Sequence, residues 1–163
     1  MKNFLLSLTI LLSASLSCFA QKEQVTIKAG TIVPLEAIKE VRGAKAHEGE
    51  PVDFQVTRDI IVDGRIAIPA GSLAKGVVYE AKRSTCFGTR GRLGIKIRNL
   101  ITPNGDIVNF TSSDIYIKGN NRTPVSVVVF CLTCLPFPCG GKAVMKVGYE
   151  VDATVASNTT ITI

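Results

Sequence analysis

Apolar and polar residues alternate with a period of two in many short runs of this chain. Val52, Phe54 and Val56 are separated by polar residues, so a strand over residues 52–56 places all three on one face. Other runs rich in Val, Ile and Thr are bounded by Gly, Pro, Asn-Gly or Asp-Gly. This pattern predicts an all-β fold, a single barrel- or sandwich-like domain of short strands punctuated by Gly and Pro.

Two dipeptides mark candidate hairpins. Asp63-Gly64 lies between the apolar runs 60–62 and 66–68, which predicts a tight turn with positive φ at both central residues. Asn104-Gly105 repeats the pattern between residues 100–101 and 107–108. The nearest approach to a helical period is residues 35–41, enough for about two turns.

Three segments share an apolar residue, two spacers, a Gly and a new apolar run. They are centred on Gly30, Gly71 and Gly148. Gly lets the backbone turn sharply between two strands because it has no Cβ. One interpretation is an internal repeat; the other is the chance recurrence of turn residues in a β-protein.

The length of 163 residues predicts one domain, and 46% hydrophobic residues suffice for a packed core. Residues 1–20 have the features of a cleavable signal peptide: Lys2, an apolar stretch over 4–16, and small residues at Cys18 and Ala20. A lipoprotein acylated at Cys18 is the disfavoured alternative, because Ser15 stands where such signals place Leu. We therefore expect an exported β-domain over residues 21–163, in the periplasm or on the periplasmic side of the outer membrane.

Residues 119–142 are predicted to be an inserted segment, and its stretch 125–139 is uncharged and contains Pro136 and Pro138. One interpretation is a loop that enters a bilayer or docks on an apolar partner. The residues predicted to dock are Val127, Val129, Phe130, Leu132, Leu135 and Phe137. The alternative is a buried strand over residues 125–132 followed by a loop stiffened by proline.

Four cysteines remain after removal of the signal peptide: Cys86, Cys131, Cys134 and Cys139. In an exported chain an even number predicts disulfides, with three connectivities open. A disulfide from Cys86 to one of the other three would pin the apolar segment to the barrel. Thioredoxin-like redox chemistry at Cys131 and Cys134 and a tetrahedral zinc site are weaker alternatives, because no helix follows the pair and the compartment is oxidising.

Basic residues concentrate between positions 82 and 98. On a strand, alternate residues share one face. The outer face would carry Arg90, Arg92, Lys96 and Arg98, and the face toward the core would carry Leu93, Ile95 and Ile97. We name Arg90, Arg92, Lys96 and Arg98 as candidates for binding an anionic lipid headgroup or lipopolysaccharide. The alternative is a solvated face balanced by the acidic residues between positions 36 and 63. Nucleic acid is not expected, because no aromatic residues are interleaved for stacking.

The motifs of enzymes are absent from the sequence. The single His47 lies in a polar loop, and neither a Gly-x-Ser-x-Gly elbow nor a phosphate-binding loop followed by Lys occurs. We expect a non-enzymatic protein with no cofactor and no metal. Nothing in the sequence indicates an oligomeric state.

The order of the turn motifs resembles the C-terminal domain of TrbI-type conjugal-transfer scaffold proteins. The motifs are residues 56–59, Asp63-Gly64, residues 68–72, Gly76, residues 91–93, residues 103–105 and the closing strand pair 146–155, so the resemblance covers most of residues 25–163. It implies a β-barrel-like domain at the outer membrane, with a membrane-reaching helical hairpin inserted where residues 119–142 lie here. The chain also resembles small exported proteins that keep only this domain, without the cytoplasmic segment, membrane anchor and Pro-rich linker of the scaffold proteins.

The expected function is peripheral association with the outer membrane or an envelope assembly through residues 125–139. The alternative is a soluble periplasmic module that binds an anionic envelope component through the basic strand face. A cysteine-based redox enzyme is the third hypothesis.

Overall fold

The computed structural model describes residues 24–85, 89–111, 113–120 and 140–162. The predicted signal peptide and most of the inserted segment lie outside these ranges. All regular elements of the described part are strands: β1 (Gln24–Ile27), β2 (Ile32–Ala37), β3 (Val41–Arg42), β4 (Pro51–Val56), β5 (Ile60–Val62), β6 (Arg65–Ile68), β7 (Leu73–Lys82), β8 (Arg92–Ile101), β9 (Ile107–Thr111), β10 (Asp114–Lys118), β11 (Val144–Met145), β12 (Glu150–Val155) and β13 (Thr159–Thr162).

Six of these strands close into an antiparallel barrel, which confirms the predicted all-β class. Its order is β8-β7-β4-β2-β12-β9, and β9 returns to β8 to complete the ring. The extra strand β10 pairs with β8 over Arg92 to Lys96, and β9 pairs with the same edge over Asn99 to Ile101. Closure removes the free sheet edges that would otherwise invite pairing with another chain.

Ser113 lies where this edge of β8 changes partner. Its carbonyl accepts a hydrogen bond from the N–H of Ile97 at 3.1 Å, and its hydroxyl accepts one from the N–H of Thr154 at 3.2 Å. Ser113 is buried, so these bonds satisfy backbone groups at the junction of β8 with β9 and β10.

The core follows the alternation read from the sequence. Val52, Phe54 and Val56 point inward from β4, while Pro51 and Asp53 are exposed. The two-stranded sheets β1-β13 and β3-β11 add Ile27, Ile161 and Met145 to the same core. The described residues therefore share one apolar interior.

The predicted hairpin turns differ in geometry. Asp63 and Gly64 have φ of 53° and 78°, which confirms positive φ at both positions. In the second turn only Gly105 has positive φ, at 89°, because this loop is longer and Thr102 bonds to Asp106 across it. Residues 35–41, the nearest approach to a helical period, do not form a helix: Leu35 and Ala37 belong to β2 and pair with β4, so tertiary pairing overrides the weak local period.

The three Gly-centred segments adopt the same turn. Gly30, Gly71 and Gly148 have φ between 75° and 86°. In each turn the residue after Gly donates its N–H to the carbonyl three residues earlier, and the Gly N–H donates to a neighbouring strand. The acceptors on those strands are Val155 for Gly30, Val56 for Gly71 and Ala37 for Gly148.

A fourth copy of this turn, at Gly49, was not expected from the sequence. Gly49 has φ of 88° and donates its N–H to Val78, and Glu50 donates its own to His47. The four turns precede β2, β4, β7 and β12, and each docks on the strand beside the one it precedes. The turns before β2 and β12 dock on each other's strand, and the same exchange relates β4 and β7.

Candidate functional site

The outer face of β8 carries the basic residues as the alternation predicted. Leu93, Ile95 and Ile97 are buried, whereas Lys96 and Arg98 are exposed and Arg92 is half-buried on the opposite face. Arg90 lies just before β8, whose first residue is Arg92. The structure thus places three of the four candidate cations on one strand face and the fourth at its start.

The acid that approaches this face is Glu80 on β7, which the sequence analysis did not single out. One oxygen of Glu80, Oε1, lies 3.5 Å from Nη1 of Arg92 and 3.5 Å from Nζ of Lys82. The side chain of Glu80 is only 19% exposed, so this contact is partly shielded from water. The expected balancing acids between positions 36 and 63 are therefore not the ones that contact Arg92.

Gly94 explains how Glu80 gains a third partner. In the strand register Glu80 and Tyr116 lie opposite Gly94 from its two sides, on β7 and β10. Because Gly94 has no side chain, the Tyr116 hydroxyl reaches over it and hydrogen-bonds to the Glu80 carboxylate. The ring of Tyr79 covers Gly94 so closely that an added Cβ would lie 2.5 Å from its Cζ.

This arrangement shifts the titration of both partners. The hydrogen bond from Tyr116 lowers the pKa of Glu80, Lys82 and Arg92 add to the lowering, and partial burial opposes it. Burial, and then the hydrogen bond to Glu80, raise the pKa of the Tyr116 phenol. Nζ of Lys118 lies 4.8 Å from the centroid of the Tyr116 ring, which adds a cation–π contact.

Beside this network the barrel has an open depression of about 500 Å³. No acidic residue lines it. Apart from Ala81, its lining side chains are basic or carry a hydroxyl: Lys82, Arg83, Thr85, Thr89, Arg90 and Arg92. Arg90 and Arg92 thus line the same depression as Lys82 and Arg83. Lys96 and Arg98 lie farther along β8. Charge on this face is concentrated at one end instead of forming an even stripe.

Sequence reasoning missed Glu80, Tyr79 and Tyr116. The period-two pattern of β10 carries a partial signal, because Asp114, Tyr116 and Lys118 alternate with Ile115 and Ile117. That pattern predicts one shared face but not which strand lies beside it. The pairing of β10 with β8 is a tertiary fact.

The described ends of the inserted segment contact each other at the same end of the barrel. Gly141 donates its N–H to the carbonyl of Asn120 at 2.9 Å, and Gly91 donates to the carbonyl of Gly141 at 2.9 Å. Gly119 in turn donates to Gly91 at 3.0 Å. A Cβ on Gly119 would lie 2.0 Å from the oxygen of Gly141, so the backbones approach as only glycine permits. We call this contact of residues 91, 119, 120 and 141 the glycine base.

The residues predicted to dock and the cysteines lie outside the described residues. The docking candidates are Val127, Val129, Phe130, Leu132, Leu135 and Phe137. The cysteines are Cys86, Cys131, Cys134 and Cys139. Both sets stay predictions.

His47, the one imidazole of the chain, takes part in the Gly49 turn. Its backbone N–H donates to Oε2 of Glu50 at 3.0 Å, and its side chain is 90% exposed. Within residues 24–85, 89–111, 113–120 and 140–162 no three His, Cys, Asp or Glu side chains are grouped to hold a metal ion. The same residues include no helix that is long and apolar enough to cross a membrane.

No protein-family model matches the chain, and no curated protein matches it. Among solved structures, the fold is similar to ComB10 of the Com type IV secretion system of Helicobacter pylori, with a TM-score of 0.46 and 16% sequence identity. The match covers 82% of this chain and 88% of that chain. The match is distant.

Proposed function

We propose that this chain is an exported, non-enzymatic envelope protein. It associates peripherally with the outer membrane, on the periplasmic side, or with an envelope assembly, through residues 125–139. The barrel is the scaffold, and the inserted segment is the docking element.

The observation that carries the proposal is the glycine base. Asn120 and Gly141 are joined by a backbone hydrogen bond, so residues 121–139 begin and end at one place on the barrel. The stretch 125–139 contains no charged residue, and Arg122 and Lys142 flank it. A long uncharged stretch whose flanking residues meet at one place on a closed barrel suits contact with an apolar surface.

The test is a deletion of residues 125–138 with a short Gly-Ser linker in their place. Because the described ends already meet at the glycine base, the shortened chain keeps the barrel closed. We expect the intact protein to sediment with the envelope fraction and the deletion variant to move to the soluble fraction. If the intact protein is itself wholly soluble after lysis, the proposal fails.

A second variant, matched to the deletion, keeps the length of residues 125–139 and removes only large apolar side chains. Replacing Phe130, Leu132 and Phe137 by Ser should release the protein as the deletion does. Crosslinking in the envelope followed by mass spectrometry then distinguishes a membrane surface from a protein partner. A serine variant that stays in the envelope fraction would contradict docking through the apolar side chains.

The second candidate function is the binding of an anionic envelope component through the basic face. The observation that favours it is the depression at Arg90 and Arg92, which has no acidic lining residue. Substituting Arg90, Arg92, Lys96 and Arg98 by Gln should abolish retention on an anionic lipopolysaccharide column and leave envelope fractionation unchanged. Retention that survives the four substitutions would contradict this candidate.

A further inference from the structure

A second basic cleft, with a volume of about 350 Å³, lies beside the glycine base and shares Arg83 with the depression at Arg90 and Arg92. The polar side chains that line it are Arg42, Lys45, Arg83, Ser84 and Lys142, and none of its lining residues is acidic. We propose that this cleft binds a phosphate group, carried by an envelope lipid headgroup or present as a free anion.

Three separate segments bring these cations together. Arg42 belongs to β3 and Lys45 to the turn after it, where the Lys45 N–H donates to the Arg42 carbonyl at 2.9 Å. Lys142 lies just before β11, which pairs with β3 through Val144 and Arg42. Arg83 follows the end of β7. Because like charges repel, their convergence on one cleft carries a cost that a bound anion relieves.

The chemistry of the lining suits phosphate. Arg offers a planar fork of N–H donors, Lys a compact positive charge, and the Ser84 hydroxyl a further donor. The apolar lining consists of Ala44, Ala143 and Val144, and Ala143 is buried. An apolar wall lowers the local dielectric constant and strengthens attraction between the cations and an anion.

Carboxylates lie outside the cleft lining: Arg42 and Lys45 also border a neighbouring depression that is lined by Glu40, Glu50 and Asp53. Of these, Glu40 is the one that bonds to a cation of the cleft. It is bonded to Nε of Arg42, and this contact lowers the pKa of Glu40, with Lys146 and Lys45 adding to the lowering. Within the cleft lining itself the four cations have no acidic residue beside them.

The position of the cleft relates it to the proposed function. Lys142 follows Gly141 of the glycine base directly, and Arg83 also lines the depression beside Arg90. A phosphate held in the cleft would therefore lie next to the glycine base, where the described residues on either side of 121–139 meet. The proposal rests on the proposed function for the source of the phosphate, but the affinity for phosphate is a property of the barrel alone.

The test compares two double variants of the exported protein. K45Q/K142Q removes two charges from the cleft. K28Q/R58Q removes the same charge from exposed turns at the other end of β2 and β4. With vesicles of phosphatidylcholine and phosphatidylglycerol, K45Q/K142Q should weaken binding about thirtyfold, whereas K28Q/R58Q should change it less than about threefold. An equal loss of vesicle binding in both variants would overturn the proposal that the cleft binds phosphate, because the total charge of the protein would then explain the binding.

A second arm uses inorganic phosphate and amide NMR. In the intact protein, phosphate should shift the resonances of Ser84 and Gly43, which lie in and beside the cleft, and K45Q/K142Q should remove those shifts. Phosphate shifts without vesicle binding support the cleft with a free anion and overturn membrane docking. Vesicle binding that needs residues 125–138 but not Lys45 and Lys142, with no phosphate shifts, overturns the cleft and leaves the proposed function standing.

Discussion

The Gly49 N–H donates a hydrogen bond to the Val78 carbonyl at 2.8 Å, and the Val78 N–H donates to the carbonyl of Glu50, the residue after Gly49, at 3.0 Å. The same two bonds join the Gly71 turn to Val56 and the Gly148 turn to Ala37. Each turn thus extends the ladder between two barrel strands beyond the strands' own pairing. The Gly-centred turns are therefore part of the barrel's hydrogen-bonded wall.

The conformation of Gly49 predicts a measurable cost for a side chain there. At φ of 88° an L-residue is strained, although nothing lies within 4 Å of an added Cβ. We expect Gly49→Ala to lower the free energy of unfolding by about 1–2 kcal/mol, measured by urea denaturation. The neighbouring exposed Glu48→Ala should change it by less than about 0.5 kcal/mol. Equal stability of the two variants would contradict a structural role for the turn.

Much of this fold follows from the sequence because its signals are local. The period-two runs predicted the strand faces of β4 and β8, and Asp63-Gly64 predicted a turn that depends only on its own backbone. The repeat around Gly30, Gly71 and Gly148 was recognisable because each copy has an apolar residue three positions before Gly. The copy at Gly49 was missed because Pro51 stands where Ile32 and Leu73 begin the apolar run in the copies at Gly30 and Gly71.

The rest of the candidate site depends on which strands become neighbours. Alternation placed Arg92, Lys96 and Arg98 on one face, but the partner of Arg92 is Glu80, on the strand paired with β8. Nothing local relates Glu80 to Tyr116, since they meet only across Gly94 in the assembled sheet. The phosphate cleft could not be predicted from the sequence either, because three segments that are distant along the chain supply its cations.

The Glu80 network predicts a dependence of stability on acid pH. The pKa of Glu80 is lowered in the folded state, so the folded protein holds this proton more weakly than the unfolded chain does. The stabilisation is therefore complete above the ordinary carboxyl pKa and is lost as the pH falls through the lowered folded value. Urea midpoints should fall less steeply with acidification in Glu80→Gln than in the intact protein, whereas the exposed Glu48→Gln should follow the intact protein. A parallel fall in Glu80→Gln would contradict the shift.

Tyr116→Phe tests the main cause of that shift. Without the hydroxyl, Glu80 loses the hydrogen bond that lowers its pKa most, and the contacts with Lys82 and Arg92 remain. We expect the Glu80 pKa, followed by carboxyl NMR, to rise toward its ordinary value. Tyr149→Phe, on the exposed residue before β12, is the control that should leave it unchanged. An unchanged value in Tyr116→Phe would assign the lowering to the two cations instead.

The glycine base is a contact between backbones. Adding a side chain to it should therefore destabilise the fold, whereas removing a side chain from it should not. A Cβ on Gly141 would lie 2.3 Å from the backbone N of Asn120, so Gly141→Ala must push the two chain segments apart. We expect a loss of about 1–3 kcal/mol in unfolding free energy, the usual range for overpacking. Asn120→Ala should be nearly neutral, because the exposed Asn120 contacts Gly141 through its backbone. Amide exchange at Gly91 and Gly141 should accelerate only in Gly141→Ala, and unchanged exchange there would refute the contact.

Cys86 has three candidate disulfide partners: Cys131, Cys134 and Cys139. Both Cys86 and Cys139 lie outside the described residues, but their neighbours Thr85 and Gly140 are joined by a backbone hydrogen bond of 3.3 Å. A disulfide needs Cα atoms about 4–7 Å apart, and residues next to a hydrogen-bonded pair lie within easy reach of that distance. Along the chain, Cys131 and Cys134 lie several residues farther from Gly140 than Cys139 does. We therefore predict a Cys86–Cys139 disulfide, which peptide mapping of the unreduced exported protein should detect, and which Cys139→Ser but not Cys131→Ser should abolish. Alkylation of all four thiols without reductant, or a mapped Cys86–Cys134 bond, would contradict it.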